Sequence, residues 1–246
     1  MAEETKTQAQ QVNAFAKRVA TELKSIRKEI NAGGQATSAD KVTYNGKTVQ
    51  EALDDLNYTA IKINSFANNV NTVEMGATVT DIKFTFAFNK TPKTLTFDGE
   101  ELDVNAKEKT LTGQTITANK SFTLKATDDR NASDTKSSGV TFLNGVYFGT
   151  GTADADGVDN AFILGLTKNL ASTAKRDYSL NLAAGQYGFI AYPARFGTVT
   201  PNIGGFDGGM PVLKTMDFTN SSGYTESYTV MRTTNAGLGS VVIKLK

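Results

Sequence analysis

Seven apolar positions, Val49, Leu53, Leu56, Ala60, Ile63, Ala67 and Val70, follow one another at spacings of 4, 3, 4, 3, 4 and 3. A seven-residue repeat sustained this way lays a narrow apolar seam along a helix, the form that suits another helix better than a broad globular core. The spacing therefore predicts a coiled-coil stalk over 49–70, roughly 33 Å long at about 1.5 Å per residue. From Thr72 the period drops to two: Ile82, Phe84, Phe86 and Phe88 alternate with Lys83, Thr85 and Ala87, as in a half-buried strand. A chain that changes period in this way has a helical front and a β remainder.

Ahead of the seam, Val12, Phe15, Val19, Leu23, Ile26 and Ile30 repeat at three and four and predict a first helix over about 8–31, with the glycines of the Ala32–Gln35 stretch at its C-terminal boundary. Val42 and Tyr44 lead into Asn45-Gly46, a dipeptide that favours a tight turn. Thr48 followed by Glu51 has the spacing of a capping box, so the second helix is expected to start at Val49.

Within the β remainder, Leu95 and Phe97, Asp98-Gly99, and Phe122, Leu124 and Ala126 predict strands and a hairpin of a small antiparallel sandwich. The polar stretch Thr127–Gly139 reads as an exposed loop and a domain boundary. Beyond it, strands are expected at Val140–Leu143, Val146–Thr150, Ala161–Leu166, Tyr178–Leu182, Tyr187–Tyr192, Val212–Phe218, Ser227–Arg232 and Ser240–Leu245. The organisation predicted is α + β and multidomain: a helical anchoring segment over 1–40, a turn plus stalk over 41–71, a small Ig-like β domain over 72–137 and a C-terminal β domain over 138–246.

Composition narrows the chemistry. There is no Cys, no His and no Trp, which removes thiol and imidazole catalysis, disulfides and the usual zinc, copper and haem ligands. Lys and Arg number 26 against 25 Asp and Glu, evenly spread, so no basic field is present to collect nucleic acid. Mean hydropathy is −0.30 with no membrane-length apolar run, and the acidic, polar start MAEETKTQAQ predicts no export signal. Without export, Asn-x-Ser/Thr triplets such as Asn131-Ala132-Ser133 carry little meaning.

What remains is oxygen and carboxylate chemistry. Asp154, Asp156 and Asp159 crowd one loop as a calcium site would require, but Val158 and Gly165 break the EF-hand register, and the loop reads as a solvated acidic turn. Asp207, Asp217 and Glu226 are the acids available for a glycosidase pair in the last third of the chain, with no cleft pattern around them. The glycine-rich run Gly204–Gly209 lacks the Lys-Ser/Thr of a phosphate loop and opens no helical pattern. Tyr187, Phe189, Tyr192, Phe196, Phe206, Tyr224 and Tyr228 have faces suited to stacking on sugars, a composition that strand packing explains equally well. No cofactor, metal or catalytic residue is expected.

Three stretches, KVTYNGKTVQEALDDL (41–56), GVTFLNGVYFGT (139–150) and GQYGFIAYPARFGTVTPNIGGFDGGM (185–210) with the C-terminal SGYTESYTVMRTTNAGLGSVVIKLK, resemble the modular fibre and appendage proteins of tailed bacteriophages. The resemblance implies a non-enzymatic virion protein, a head or tail fibre, assembled in the host cytoplasm. It implies a homotrimer, with a dimer as the alternative, held by Val12, Phe15, Val19, Leu23, Ile26 and Ile30 to a capsid or tail protein, with distal β domains that touch the host surface; the aromatic residues above make a host-surface glycan one candidate contact. A fibre-borne polysaccharide-degrading enzyme and a capsid decoration protein are the alternatives.

Overall fold

A computed structural model describes residues 8–31, 43–44 and 46–246; the turn residue Asn45 and the glycines at 33 and 34 lie outside the described residues. The chain divides into two compact units, Met1–Ala60 and Ile61–Lys246.

The first unit holds α1 (Gln8–Asn31), the short antiparallel strands β1 (Thr43–Tyr44) and β2 (Lys47–Thr48), and α2 (Val49–Leu56). The helix expected over about 8–31 forms with those bounds. The capping box also forms: the Thr48 hydroxyl accepts from the Glu51 N–H at 3.1 Å while the Glu51 carboxylate accepts from the Thr48 N–H at 2.7 Å. That backbone hydrogen bond is the main reason the Glu51 carboxyl titrates below its ordinary range.

The heptad helix does not form as expected. α2 stops at Leu56 after eight residues, Ala60 lies in irregular chain, Ile63 and Ala67 belong to a β-strand, and Val70 follows it in a loop. Past Leu56 the sequence turns to Asn, Thr and β-branched residues, whose side chains compete with or crowd the helical backbone. Ile61 and Ile63 are both buried, an alternation of two that the seven-residue spacing had masked.

The second unit is built of sheets, antiparallel except where the strand Thr72–Glu74 joins Ser133–Gly151, around three apolar clusters. Its first half comprises β3 (Ile63–Asn68), β4 (Thr72–Glu74), β5 (Ile82–Phe88), β6 (Thr94–Phe97), β7 (Glu100–Leu102), β8 (Glu108–Leu111), β9 (Lys120–Thr127) and β10 (Ser133–Gly151). Strand order is β3-β5-β8 in one sheet and β10-β9-β6-β7 in the other, and Ile63, Phe84, Leu95, Phe97, Phe122 and Leu124 fill the sandwich between them. Phe84 sits 4.9 Å from both Phe97 and Phe122, in edge-to-face contacts. Asp98 and Gly99, both at positive φ, make the expected hairpin between β6 and β7.

Thr127–Gly139 is not a loop. Only the turn at 128–132 lies outside the strands; residues 133–139 begin the 19-residue β10 and ladder with β9 through side chains that alternate between exposed and half-buried. Polar composition marked this segment as a linker, but a strand with one solvated face needs few apolar residues when its partner supplies the core.

The second half continues with α3 (Asn160–Leu164), β11 (Thr167–Ala171), β12 (Asp177–Leu182), β13 (Tyr187–Pro193), β14 (Pro201–Ile203), β15 (Phe206–Asp207), β16 (Val212–Thr219), β17 (Thr225–Arg232) and β18 (Gly239–Leu245). β10, β13, β17 and β16 form one sheet, with β11 also on β10; β12, β18, β14 and β15 form the facing one. Val146, Ile190, Tyr192 and Met231 pack against Tyr178, Leu182, Ile243 and Leu245 between them. On the outer face of the first sheet a further cluster, Tyr147, Ile163, Phe189, Phe218, Tyr228 and Val230, is covered by the segment carrying α3. Burial on both faces explains why β13 reads as an unbroken apolar run. The strand expected at Ala161–Leu166 is instead α3, capped by Asp159, whose carboxylate accepts the Phe162 N–H at 2.7 Å.

Candidate functional site

Part of the apolar stripe expected of the helical unit is open to solvent. α1 is 24 residues long and α2 eight, about a third of its length. Phe15, Val19, Leu23 and Ile26 of α1 line a groove with Thr48, Val49 and Ala52. Phe15, Val19 and Ile26 are half-buried, while Val12 is 42% and Leu23 55% exposed. The side chain of Ile30 lies outside the described residues. Of the other seam positions, Leu53 is half-buried and Leu56 is 44% exposed. Five basic residues against two acidic ones make α1 cationic around this stripe.

The acids singled out from sequence are not gathered. The Asp154 carboxylate accepts the Gly157 N–H at 2.8 Å and Asp159 caps α3. Two cations tie the same loop down, Lys214 Nζ donating to the Ala155 carbonyl at 2.7 Å and Arg232 to the Ala153 carbonyl at 3.0 Å. Arg232 also stacks 4.4 Å from the Tyr187 ring centroid. Among the described residues no group of three or more metal-ligating side chains converges.

Asp207 belongs to β15 and Glu226 to β17, in different sheets, and Asp217 pairs with Ser227, so it points to the opposite face from Glu226. Asp207 accepts from Asn202 Nδ2 at 2.6 Å and Lys246 Nζ at 3.1 Å, and these bonds hold its carboxyl below the ordinary range. Gly204 and Gly205, at φ of 59° and 90°, turn the hairpin between β14 and β15. They open no helix.

The aromatic residues divide sharply. Phe189, Tyr192 and Tyr228 are core residues; Tyr187, Phe196 and Tyr224 are half-buried; Phe206 alone of this set is exposed, at 81%. No stacking row forms from them. Its place in the sheet explains Phe206: register puts Tyr178, Ile243, Ile203 and Phe206 in one row across the four strands, and burial fades along that row toward the sheet edge.

A polar cluster that sequence reasoning missed lies where the two halves of the second unit meet. Glu74 is 8% exposed and accepts from Tyr147 Oη at 2.9 Å, Lys168 Nζ at 2.7 Å and Ser221 Oγ at 3.3 Å. Beside it Asn144, 2% exposed, donates to Glu226 and accepts from Arg195, which also pairs with Glu226. Burial pushes the Tyr147 hydroxyl far above its usual range, and its bond to Glu74 adds to the effect. The sequence signal was Asn144 standing inside the apolar run FLNGVYF, a polar residue that burial obliges to find partners. Among the described residues no buried side-chain polar atom is left without one.

No protein-family model and no curated protein matches the chain. Among solved structures it is similar to a titin segment (Titin-A168169) at 11% identity, over 76% of this chain and 92% of that one, with a TM-score of 0.25. It is also similar to SGBP-B of the Bacteroides ovatus mixed-linkage glucan utilization locus, solved with a mixed-linkage heptasaccharide, at 12% identity over 77% of this chain and 44% of that one, with a TM-score of 0.22. At such scores neither likeness carries an argument.

Proposed function

We propose that this chain is a non-enzymatic appendage protein of a tailed-bacteriophage virion, attached to a capsid or tail protein through its helical unit and presenting the β unit, including its Ig-like first sandwich, to the host surface. The observation that carries the reading is the apolar stripe of α1, of which Val12 and Leu23 remain exposed beside the short α2. An amphipathic helix with one side of its stripe uncovered is suited to completion by another protein. The resemblance of 41–56, 139–150 and 185–210 to phage fibre modules supplies the virion setting.

Self-association is part of the proposal, with the trimer the resemblance implies. The rod over 49–70 does not supply it, so the association draws on the helical unit, and several copies would then bring weak glycan contacts together as avidity. Phe206 is the aromatic face available for such a contact.

Virion incorporation of the full chain tests the anchor. Leu23→Asp and Val12→Asp place charge in the stripe and are expected to abolish incorporation while thermal unfolding of the β unit is unchanged. Incorporation at the wild-type level would remove the anchor assignment. Light scattering tests self-association separately, with a monomer at all concentrations as the adverse result.

A further inference from the structure

The long strand β10 changes partners along its length. Residues 133–140 ladder with β9, residues 141–143 pair in parallel with β4, and residues 144–151 ladder with β11 and β13. β4 therefore sits at the crossing between the two halves of the second unit, although it comes from the chain that builds the first.

The segment around β4 is laced to both halves. On one side Asn68 Nδ2 donates to Ser138 Oγ and to the Gly139 carbonyl, both at 2.9 Å, while its Oδ1 accepts the Val70 N–H at 2.9 Å and the Asn71 N–H at 2.6 Å. On the other side Glu74 takes donors from β10, from β11 and from the turn between β16 and β17. Asn220 Nδ2 reaches the Met75 carbonyl at 2.8 Å, and Gly76 lies so close to Tyr224 that a Cβ there would meet Tyr224 Cβ at 2.6 Å.

A carboxylate this buried is tolerated only while its donors are in place, because a charge stripped of partners cannot be left in the interior. β4 cannot leave the second half without orphaning Glu74, and the second half cannot open without orphaning Lys168 and Tyr147. The bonds are lost together or kept together.

We infer that Glu74 is the pin of a mechanical joint that makes the two sandwiches of Ile61–Lys246 yield as one body when tension enters from the N-terminal side. The entry point is prepared for that load: Ile61 and Ile63 donate their N–H groups to Asp128 at 3.1 Å and Asp134 at 2.7 Å, and Lys62 donates to Asn89 at 2.8 Å. Tension at Ile63 passes through Asp134 into β10, and the β4 clamp spreads it to both halves. This inference is independent of the virion reading, since it concerns how the unit breaks and not what holds it.

Single-molecule stretching of the full chain from its two termini tests the joint. The wild-type protein is expected to release Ile61–Lys246 in one event of roughly 60 nm of chain, at about 3.4 Å per residue. Glu74→Ala is expected to split the release into two events, and Lys168→Met, which takes the cation from the carboxylate and leaves it only the Tyr147 and Ser221 hydroxyls, to do the same. Asn220→Ala provides a milder variant should either fail to fold, with the same splitting expected. Lys83→Ala, which removes the solvent-exposed pair with Glu108, is expected to keep the single event. Two events in the wild-type protein, or one event in all three joint variants, would overturn the inference.

Discussion

Asp134 accepts the backbone N–H of Ile63 at 2.7 Å, across 71 residues of sequence. Ile61 is held in the same way by Asp128, a 2%-exposed carboxylate that also takes the Arg130 and Ala132 N–H groups at 3.0 Å and pairs with Lys90 at 2.9 Å. Two carboxylates thus satisfy donors at the first residue of β3 and just ahead of it, in place of a neighbouring strand.

Removing them should be costly, Asp128 more so than Asp134. Asp134→Ala is expected to lower stability by about 1.5–3 kcal/mol, the usual range for a hydrogen bond to a charged group. Asp128→Ala is expected to lose more, about 3–5 kcal/mol, because it takes the acceptor from the three backbone N–H groups of Ile61, Arg130 and Ala132, each costing about 1–3 kcal/mol when left unmade. Urea denaturation followed by tyrosine fluorescence measures both, and an Asp128 variant no weaker than the Asp134 variant would contradict the assignment.

At Gly139 the β10 backbone runs close against β9. A Cβ there would lie 2.5 Å from the Lys120 carbonyl oxygen and 3.1 Å from Ser121 Cα, both backbone atoms. Gly139→Ala should therefore force the ladder apart at a cost of about 1–3 kcal/mol, the scale of overpacking. A melting temperature within a degree of wild type would show that the strands have room.

Alkaline stability depends on buried tyrosines. Tyr178 is pushed up to about 12 by burial, with Arg176 opposing, and burial also raises Tyr147, Tyr192 and Tyr228. The unfolded chain ionises these hydroxyls near pH 10 while the folded one retains the protons. Stability is thus fully present below about pH 10 and falls as pH rises toward 12, because there the unfolded state binds fewer protons. Absorbance titration at 295 nm should show these tyrosines ionising only with unfolding; smooth titration of all eight near pH 10 in a folded protein would be the contrary result.

The helical unit offers a check on the capping box. Thr48→Ala should destabilise α2 by about 1 kcal/mol and Thr48→Ser should retain it. Hydrogen exchange at residues 51–56 reads this directly, since a two-turn helix has little else to hold its first amides. Protection extending unbroken to residue 70 in the wild-type protein would instead restore the heptad rod.

The fate of that rod shows how local signals mislead. Thr48 and Glu51 marked the start of α2 because a capping box is decided within four residues. Where the helix ends was not decided locally: Ile63 satisfies a heptad and an alternating strand alike, and the choice lies with Phe84, Asp134 and other residues distant in sequence. Likewise Ser133–Ser138 reads as linker until β9 is placed beside it, and Ala161–Leu166 reads as a strand although Asp159 caps a helix there.

By itself the sequence determined the elements whose causes are local: α1 from its stripe, the Thr48 cap, the Asp98-Gly99 hairpin, and the alternating strands β5, β9, β12 and β17. It also limited the chemistry, through the absence of Cys and His. Tertiary structure alone decided which aromatic residues are core and which one, Phe206, is exposed, and it alone assembled Glu74, Tyr147, Lys168 and Ser221 from positions up to 147 residues apart. Burial and buried charge are properties of neighbours, and here the neighbours come from remote parts of the chain, where no spacing along the sequence records them.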